Sequence, residues 1–193
     1  MAETEDRDAG SGGHVVLFYS DDDELAWLVS EYLLDALRAG GAAIMIATGA
    51  HRHAVERRLA QAGLDLDSAQ AAGSYLGLDA HETLRRFVVG DWPNPATFWQ
   101  VISPLVRHSG GKPIHLFGET VAVLWDEGLV NAAIEVEAMW NELGGQYPFT
   151  LFCAYPARSA GEDQHRDALA EVCRAHEAVL GDPPDPDPAR PRA

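Results

Sequence analysis

The sequence predicts an α/β protein with a mostly parallel five-stranded sheet and helices on both faces. Five short segments are apolar almost throughout, which is typical of strands buried on both sides. Longer segments between them repeat apolar residues at helical spacing, as in residues 22–39. Regular alternation of such strands and helices favours a parallel sheet covered by helices on each face.

The five predicted strands are separated by glycines, caps or short turns. They are residues 14–19 (HVVLFY), 42–48 (AAIMIAT), 74–78 (SYLGL), 113–117 (PIHLF) and 149–155 (FTLFCAY). The sequence does not determine their order in the sheet. In a parallel sheet, ligands bind at the carboxyl ends of the strands, so the residues at these ends are the first candidates for a site.

The predicted helices fill the intervals between the strands. Ser20 or Asp21 caps the first helix, Asp79 and Glu82 form a capping box, and Asn94 caps a helix whose first residue is Pro95. The predicted helices are 22–39, 50–62, 79–87, one that begins at 95, 120–127, 129–143 and 163–180. Residues 91–95 (DWPNP) are predicted to form a loop.

Length and composition predict one domain, residues 14–180, between two disordered tails. Residues 1–13 are acidic and rich in glycine, and residues 181–193 combine prolines with charges, so neither tail can form a core. The amino terminus lacks the pattern of a signal peptide, and no apolar run approaches the roughly 20 residues of a membrane span. The two cysteines have no CxxC partner, which fits a reducing cytoplasm.

The formal net charge of −16 opposes any function that depends on phosphate contacts. Proteins that bind nucleic acids or anionic membranes need clustered basic residues, whereas this chain has one lysine, Lys112, and scattered arginines. The prediction is therefore no nucleic-acid partner and no membrane partner.

The turn after the first strand also opposes nucleotide binding. Residues 19–24 read YSDDDE, with no glycine for close backbone approach and no lysine for a phosphate. Their four consecutive carboxylates stand at the positive end of a helix, where a phosphate would bind. The same carboxylates are also explained by ordinary helix capping, so both interpretations remain open here.

Polar and aromatic side chains near the strand ends are the candidate ligand-binding residues. Glu137, Trp140 and Asn141 share one helix face by their i, i+3, i+4 spacing. A mostly apolar pocket with a few polar anchors is the expected form of the site. The full candidate set is Tyr19, Ser20, Thr48, Glu119, Trp125, Glu137, Trp140, Asn141, Cys153 and Tyr155. The alternative is that the tryptophans and Cys153 are plain core residues and Glu137 is a structural carboxylate.

The sequence predicts no catalytic residue, no metal site and no cofactor. His51 and His53 are two apart, so they do not share a helix face and do not form a metal-binding pair. His14 begins a strand, at the opposite pole from the carboxyl ends, so a structural role is the preferred interpretation and a functional role stays open. A small enzyme using Glu119 or Cys153 stays an alternative, but no positioned partner residue is evident.

Three segments resemble the MEDS domain, a sensory domain of methanogen and methylotroph regulators and of the dichloromethane-dehalogenase regulator. They are the opening HVVLFYSDDDEL, residues 117–141 and the ending CAYP, and the resemblance covers about residues 14–156. It implies a RecA/KaiC-like fold with a degenerate P-loop and a role in sensing small organic compounds. The family's motif positions fall on His14, Tyr19, Glu119, Trp140, Asn141 and Cys153.

These observations together predict a cytoplasmic, stand-alone and non-catalytic sensory domain for a small organic ligand. Family members are often fused to output domains, and thirteen residues before His14 cannot hold one. The expected output is therefore a separate regulatory protein of kinase-like or anti-sigma type. A small enzyme and a degenerate nucleotide-binding domain are the alternatives, and homo-oligomer formation stays open.

Overall fold

Six parallel strands form the central sheet of the computed structural model, which describes residues 13–107, 111–160 and 165–181. The sheet strands are β1 (His14–Tyr19), β2 (Ala42–Ala47), β3 (Tyr75–Asp79), β6 (Ile114–Gly118), β7 (Thr150–Pro156) and β8 (Ala178–Leu180). Two further short strands, β4 (Val88–Val89) and β5 (Trp92–Pro93), form a separate antiparallel hairpin. The order in the sheet is β3-β2-β6-β7-β1-β8, so β1 lies between β7 and β8.

Nine helices of the described residues cover the sheet. They are α1 (Asp22–Arg38), α2 (Gly49–Gln61), α3 (Leu66–Ala71), α4 (Ala80–Leu84), α5 (Pro95–Arg107), α6 (Thr120–Asp126), α7 (Val130–Gly144), α8 (Ala157–Ala160) and α9 (Arg166–Ala175). Among these helices, none combines the length and the apolar character needed to cross a membrane.

The two faces of the sheet build two separate apolar layers, as the fully apolar strands predict. Alternate residues of β1 show the division, because Leu17 and Tyr19 pack with α1 to α3, while Val16 and Phe18 pack with the helices of the other face. The second layer contains residues of α4, α5, α6, α7 and α9. The predicted α/β class, with helices on both faces of a parallel sheet, is therefore confirmed.

The predicted number of strands is one too few. The last helix was expected to run to Leu180, but α9 ends at Ala175 and His176 has an extended backbone. The next residues form β8, which pairs with β1 in parallel from Val15 to Leu17. Pairing along an open sheet edge overrides the local helical pattern, and such pairing depends on distant residues.

Smaller differences concern short elements and the tails. Helix α3 occupies a segment for which no element was predicted, and the expected loop at 91–95 contains β5 and the start of α5. The predicted disordered tails lie, except for Gly13 and Gly181, outside the described residues.

Candidate functional site

The carboxyl ends of β1, β2 and β6 bring a group of polar side chains together. Glu119 directly follows β6, and its backbone N–H donates to Ile46 O over 2.9 Å, so it lies beside the end of β2. The Thr48 N–H donates to Glu119 Oε2 over 2.7 Å. The Glu119 carboxylate is almost fully buried. We call Tyr19, Asp22, Thr48, His51 and Glu119 the carboxyl-edge site.

His51 lies between two carboxylates at this site. Its Nδ1 forms a short hydrogen bond with Glu119 Oε1, and its Nε2 lies 3.5 Å from Asp22 Oδ1. The Tyr19 ring meets the imidazole edge-on, with centroids 5.8 Å apart. The hydrogen bond to Glu119 raises the pKa of His51 against the opposing effect of burial, and Asp22 adds to the rise. The arrangement therefore favours the imidazolium form.

The chain's own carboxylates satisfy the helix N-termini at this edge. Asp21 Oδ1 accepts from the Glu24 N–H at the start of α1 over 2.8 Å, and Asp79 Oδ1 accepts from the Glu82 N–H at the start of α4 over 2.9 Å. Glu119 does the same for Thr48 at the start of α2. The positive ends of three helix dipoles are thus already occupied by negative groups. Asp21 is a helix cap, as one interpretation of the acidic turn proposed.

A cavity of about 680 Å³ opens next to this site. Its walls come from the ends of β1 and β7, the N-termini of α1 and α2, the end of α6, and α8. The lining residues are Tyr19, Ser20, Asp22, His51, Asp126, Pro156, Ala157, Arg158 and Ser159. The predicted residues Tyr19 and Ser20 line it directly, whereas Glu119 and Thr48 are not in its wall.

A second polar group is buried on the opposite face of the sheet, between β1, β7, α7 and α9. It contains His14, Glu137, Cys153 and His176, which we call the buried cluster. One ligand-capable atom of each residue lies within 4.8 Å of the others, and all four side chains are buried. Side chains of this polarity in an apolar layer need partners, because an unpaired buried polar group is costly.

Glu137 is the centre of the buried cluster. The Tyr155 hydroxyl donates to Glu137 Oε1 over 2.7 Å, while Glu137 Oε2 lies 3.4 Å from His14 Nε2 and 3.8 Å from Cys153 Sγ. Burial, and secondarily the Glu137 charge, raises the pKa of the Cys153 thiol and of the Tyr155 phenol well above their usual values. Asn141, also predicted as a site residue, contacts His14 Nδ1 through its Oδ1 at 2.7 Å.

The two predicted tryptophans belong to the apolar layer around the cluster. Trp125 donates its Nε1–H to Ser159 O over 3.1 Å and meets the Tyr155 ring edge-on at 5.3 Å. Trp140 is fully buried and meets Phe98 edge-on at 5.3 Å. Trp140 also lines a second cavity of about 500 Å³, next to His14 and His176.

The residues that were predicted to line one pocket therefore lie in two separate groups. Cys153 was expected at the end of a strand with Tyr19, but β7 continues to Pro156, and Cys153 pairs with Val16 within the sheet. Side chains alternate between the faces, so Cys153 and Tyr155 point to the face of α7, while Tyr19 points to that of α1. Glu137 and Asn141 accompany Cys153 and do not reach Glu119.

Sequence reasoning missed three histidines. For His14 a structural role was preferred and a functional one left open, and at the amino end of β1 it contacts Cys153 Sγ at 3.2 Å. His51 was considered only as half of a metal pair with His53. His176 was not singled out at all. All three histidines lie at or near the end of a helix or strand, which the sequence could have indicated. Which of these ends lie close together depends on the order of the strands in the sheet.

Comparison with solved structures supports the fold. A crystal structure of an uncharacterized protein from Pyrococcus horikoshii, in complex with an unknown peptide, is similar with a TM-score of 0.61. The two chains are 12% identical, and the match covers 86% of this chain and 76% of that one. A KaiC-like protein from the same hyperthermophilic archaeon matches with a TM-score of 0.49 and 13% identity, over 76% of this chain and 62% of that one. The first likeness shows the fold alone, and the second is too distant to support an argument.

Comparison with protein families is more informative. No curated protein sequence matches the chain. The model of the MEDS family, described as the methanogen/methylotroph, DcmR sensory domain, matches residues 13–177. The match includes both polar groups described above, from His14 to His176. The chain belongs to the MEDS family of sensory domains.

Proposed function

We propose that this MEDS domain is a non-catalytic sensor that binds a small, uncharged or cationic organic molecule in the carboxyl-edge cavity. Membership of a sensory family supports the sensing role. The cavity of about 680 Å³ is in the range typical of small-molecule sites. Its position at the carboxyl ends of parallel strands is where ligands of such folds bind.

The main support for this proposal is that the protein's own carboxylates already occupy the helix N-termini at this edge of the sheet. An anionic ligand such as a nucleotide needs free N–H groups and positive charge at this edge, but Asp21, Asp79 and Glu119 already fill those positions. Asp22 and Asp126 line the cavity and add two negative charges, whereas Arg158 in the same wall supplies one positive charge. Two like charges about 4 Å apart repel by about 1 kcal/mol even in water. The same groups favour a ligand that donates hydrogen bonds or carries a positive charge.

One observation favours the enzyme alternative, namely the contact between Glu119 and His51. A histidine held by a carboxylate is a common general base, and such a partner was absent from the sequence argument. However, the same contact raises the pKa of His51, so a smaller fraction of the imidazole is in the neutral form that a general base requires. The nearby Ser159 hydroxyl donates to Pro156 O over 3.3 Å and not to His51. The geometry therefore supports binding over catalysis.

The proposal is tested by thermal shift with three classes of compound. The classes are small amines, neutral alcohols or amides, and nucleotides with Mg²⁺, each measured on the full chain. A ligand present at a hundredfold excess over its Kd stabilises the fold by about 2.7 kcal/mol, which gives a clear rise in Tm. Stabilisation by nucleotides and not by the other classes would overturn the proposal.

Variants then locate the binding. We expect Asp126→Asn and Ser20→Ala to weaken the response to amines or neutral compounds, because both residues line the cavity. Asp35→Asn is the matched control, since it removes an exposed carboxylate near the other end of α1. An equal loss of response in Asp35→Asn would show that only overall charge matters.

The proposed output is a separate cytoplasmic regulatory protein of kinase-like or anti-sigma type. A sensor must couple its ligand to that partner, and such coupling is reciprocal in binding free energy. The ligand should therefore change the Kd for the partner by the same factor as the partner changes the Kd for the ligand. A ligand that leaves the Kd for a purified partner unchanged in calorimetry would contradict this scheme.

A further inference from the structure

Each of the four side chains of the buried cluster places one nitrogen, oxygen or sulfur atom with a lone pair near a common centre. His14 Nε2 lies 3.2 Å from Cys153 Sγ and 3.4 Å from Glu137 Oε2. His176 Nε2 lies 3.6 Å from the same Glu137 oxygen, and Cys153 Sγ lies 3.8 Å from it. The two imidazole rings are 3.9 Å apart and inclined by 48°, so they converge and do not stack flat.

Surrounding contacts fix which nitrogen of each histidine faces this point. Asn141 donates its amide N–H to Ala175 O over 3.1 Å, which leaves its Oδ1 to accept from His14 Nδ1–H. His176 Nδ1–H donates to Val172 O over 2.7 Å. In the neutral form of each ring, the free lone pair is therefore on Nε2, the atom that faces the cluster. Histidines that bind metals are held in this way, with the other ring N–H bonded to an oxygen.

One of these donors, within the described residues, has no hydrogen-bond partner. His176 Nε2 is buried and makes no hydrogen bond within the described residues, and its side chain is fully shielded from solvent. A buried polar atom without a hydrogen bond costs about 1–3 kcal/mol. A cation at the centre of the cluster would satisfy it together with the other three donors.

The spacing and charge of the four donors fit a tetrahedral divalent ion. Bonds of about 2.0–2.3 Å from one ion to nitrogen, oxygen and sulfur place neighbouring ligand atoms about 3.3–3.6 Å apart. Four of the six separations are 3.2, 3.4, 3.6 and 3.8 Å, which bracket that range, and all six are within 4.8 Å. A thiolate and a carboxylate together supply two negative charges, which balance those of the ion. The mixture of nitrogen, sulfur and oxygen donors suits Zn²⁺ better than Mg²⁺ or Ca²⁺.

We propose that His14, Glu137, Cys153 and His176 form a binding site for one divalent transition-metal ion, of which zinc is the best chemical fit. The thiol proton of Cys153 leaves when the ion binds, because only the thiolate is a ligand. A cavity of about 500 Å³ beside the cluster is lined by both histidine residues. The site joins β1, α7 and β7 to the segment between α9 and β8.

The site is tested with cobalt(II) as a spectroscopic probe for zinc, on the full chain after removal of any affinity tag. We expect one equivalent of cobalt(II) per chain, a thiolate-to-cobalt charge-transfer absorption, and the visible bands of a tetrahedral ion. Zinc(II) should displace the cobalt, remove these bands and raise the Tm. Absence of a saturating one-to-one complex, or a complex without the thiolate band, would overturn the proposal.

Cysteine variants make the assignment specific. Cys153→Ser should lose the charge-transfer band, whereas Cys173→Ser should keep it, because Cys173 is the other free cysteine and is not in the cluster. A band that survives Cys153→Ser or disappears with Cys173→Ser would place the metal elsewhere. Circular dichroism verifies that each variant is folded.

Asn141→Ala gives an independent measurement should Cys153→Ser fail to fold. Asn141 is a positioning residue that orients His14, and loss of such a contact weakens metal binding by about 10–100-fold. Unchanged cobalt affinity in this variant would contradict the proposed geometry. The carboxyl-edge proposal is independent of this outcome, since its lining residues are different and its readout is an organic ligand.

Discussion

The hydrogen bond between Tyr155 and Glu137 gives the sharpest prediction about stability. Both residues are buried, and the phenol donates to Glu137 Oε1 over 2.7 Å. Tyr155→Phe keeps the ring and its packing against Trp125 but leaves one oxygen of a buried carboxylate without its donor. Hydrogen bonds to charged groups contribute about 1.5–3 kcal/mol, so the free energy of unfolding should fall by about 2–3 kcal/mol.

Urea denaturation with EDTA present measures this loss without any contribution from a bound metal. The midpoint should fall while the slope m stays constant, because the substitution changes stability and not the surface exposed on unfolding. Tyr147→Phe is the control, since it removes a hydroxyl from a partly exposed ring and should change stability by less than about 0.5 kcal/mol.

A double-mutant cycle separates this hydrogen bond from general effects of the substitution. In the Glu137→Gln background the acceptor is neutral, so Tyr155→Phe should cost about 1 kcal/mol, the value of an ordinary hydrogen bond. The reasoning is refuted when Tyr155→Phe costs the same in both backgrounds. A loss below about 0.5 kcal/mol in the wild-type background would refute it equally.

Three further changes have directions set by the structure. Asp21→Ala removes the acceptor of the Glu24 N–H and should lower the free energy of unfolding by about 1 kcal/mol in urea, with no loss contradicting the cap. His51 has a raised pKa, so the stabilisation of the fold by its imidazolium is complete below the unfolded pKa of 6.5 and is lost as pH rises through the folded pKa. His51→Gln should therefore lower the free energy of unfolding most in acid. A larger loss at alkaline pH would contradict this. Gly41→Ala places a Cβ 2.7 Å from Pro113 O, so its Tm should fall clearly, and an unchanged Tm would contradict that close approach.

Local patterns were sufficient for most of the fold. The apolar segments at 14–19 and 42–48 and the caps Asp21 and Asp79 correspond to β1, β2 and the starts of α1 and α4. These features depend on neighbours within a few residues. Strand β8 was not predictable in this way, because three residues become a strand only by pairing with β1.

The candidate site was predictable by residue type but not by grouping. Eight of the ten predicted residues belong to one of the two polar groups or line a cavity, and Tyr155 bonds to Glu137, yet they do not form one pocket. Which side chains of neighbouring strands lie close together depends on the strand register, which pairs Val16 with Cys153. This register cannot be read from a single sequence. For the same reason the sequence predicted no metal site, although three of the four residues of the site proposed above were discussed individually.

Strand β1 begins with His14 and ends with Tyr19, so one six-residue segment carries a member of each polar group. Its length is about 17–20 Å, and hydrogen bonds to β7 and β8 hold it on both sides. This paired strand therefore sets the distance between the carboxyl-edge site and the buried cluster. A ligand of the proposed cavity that displaces β1 at Tyr19 would also displace His14, so zinc affinity measured with and without that ligand tests whether the two proposed sites are coupled.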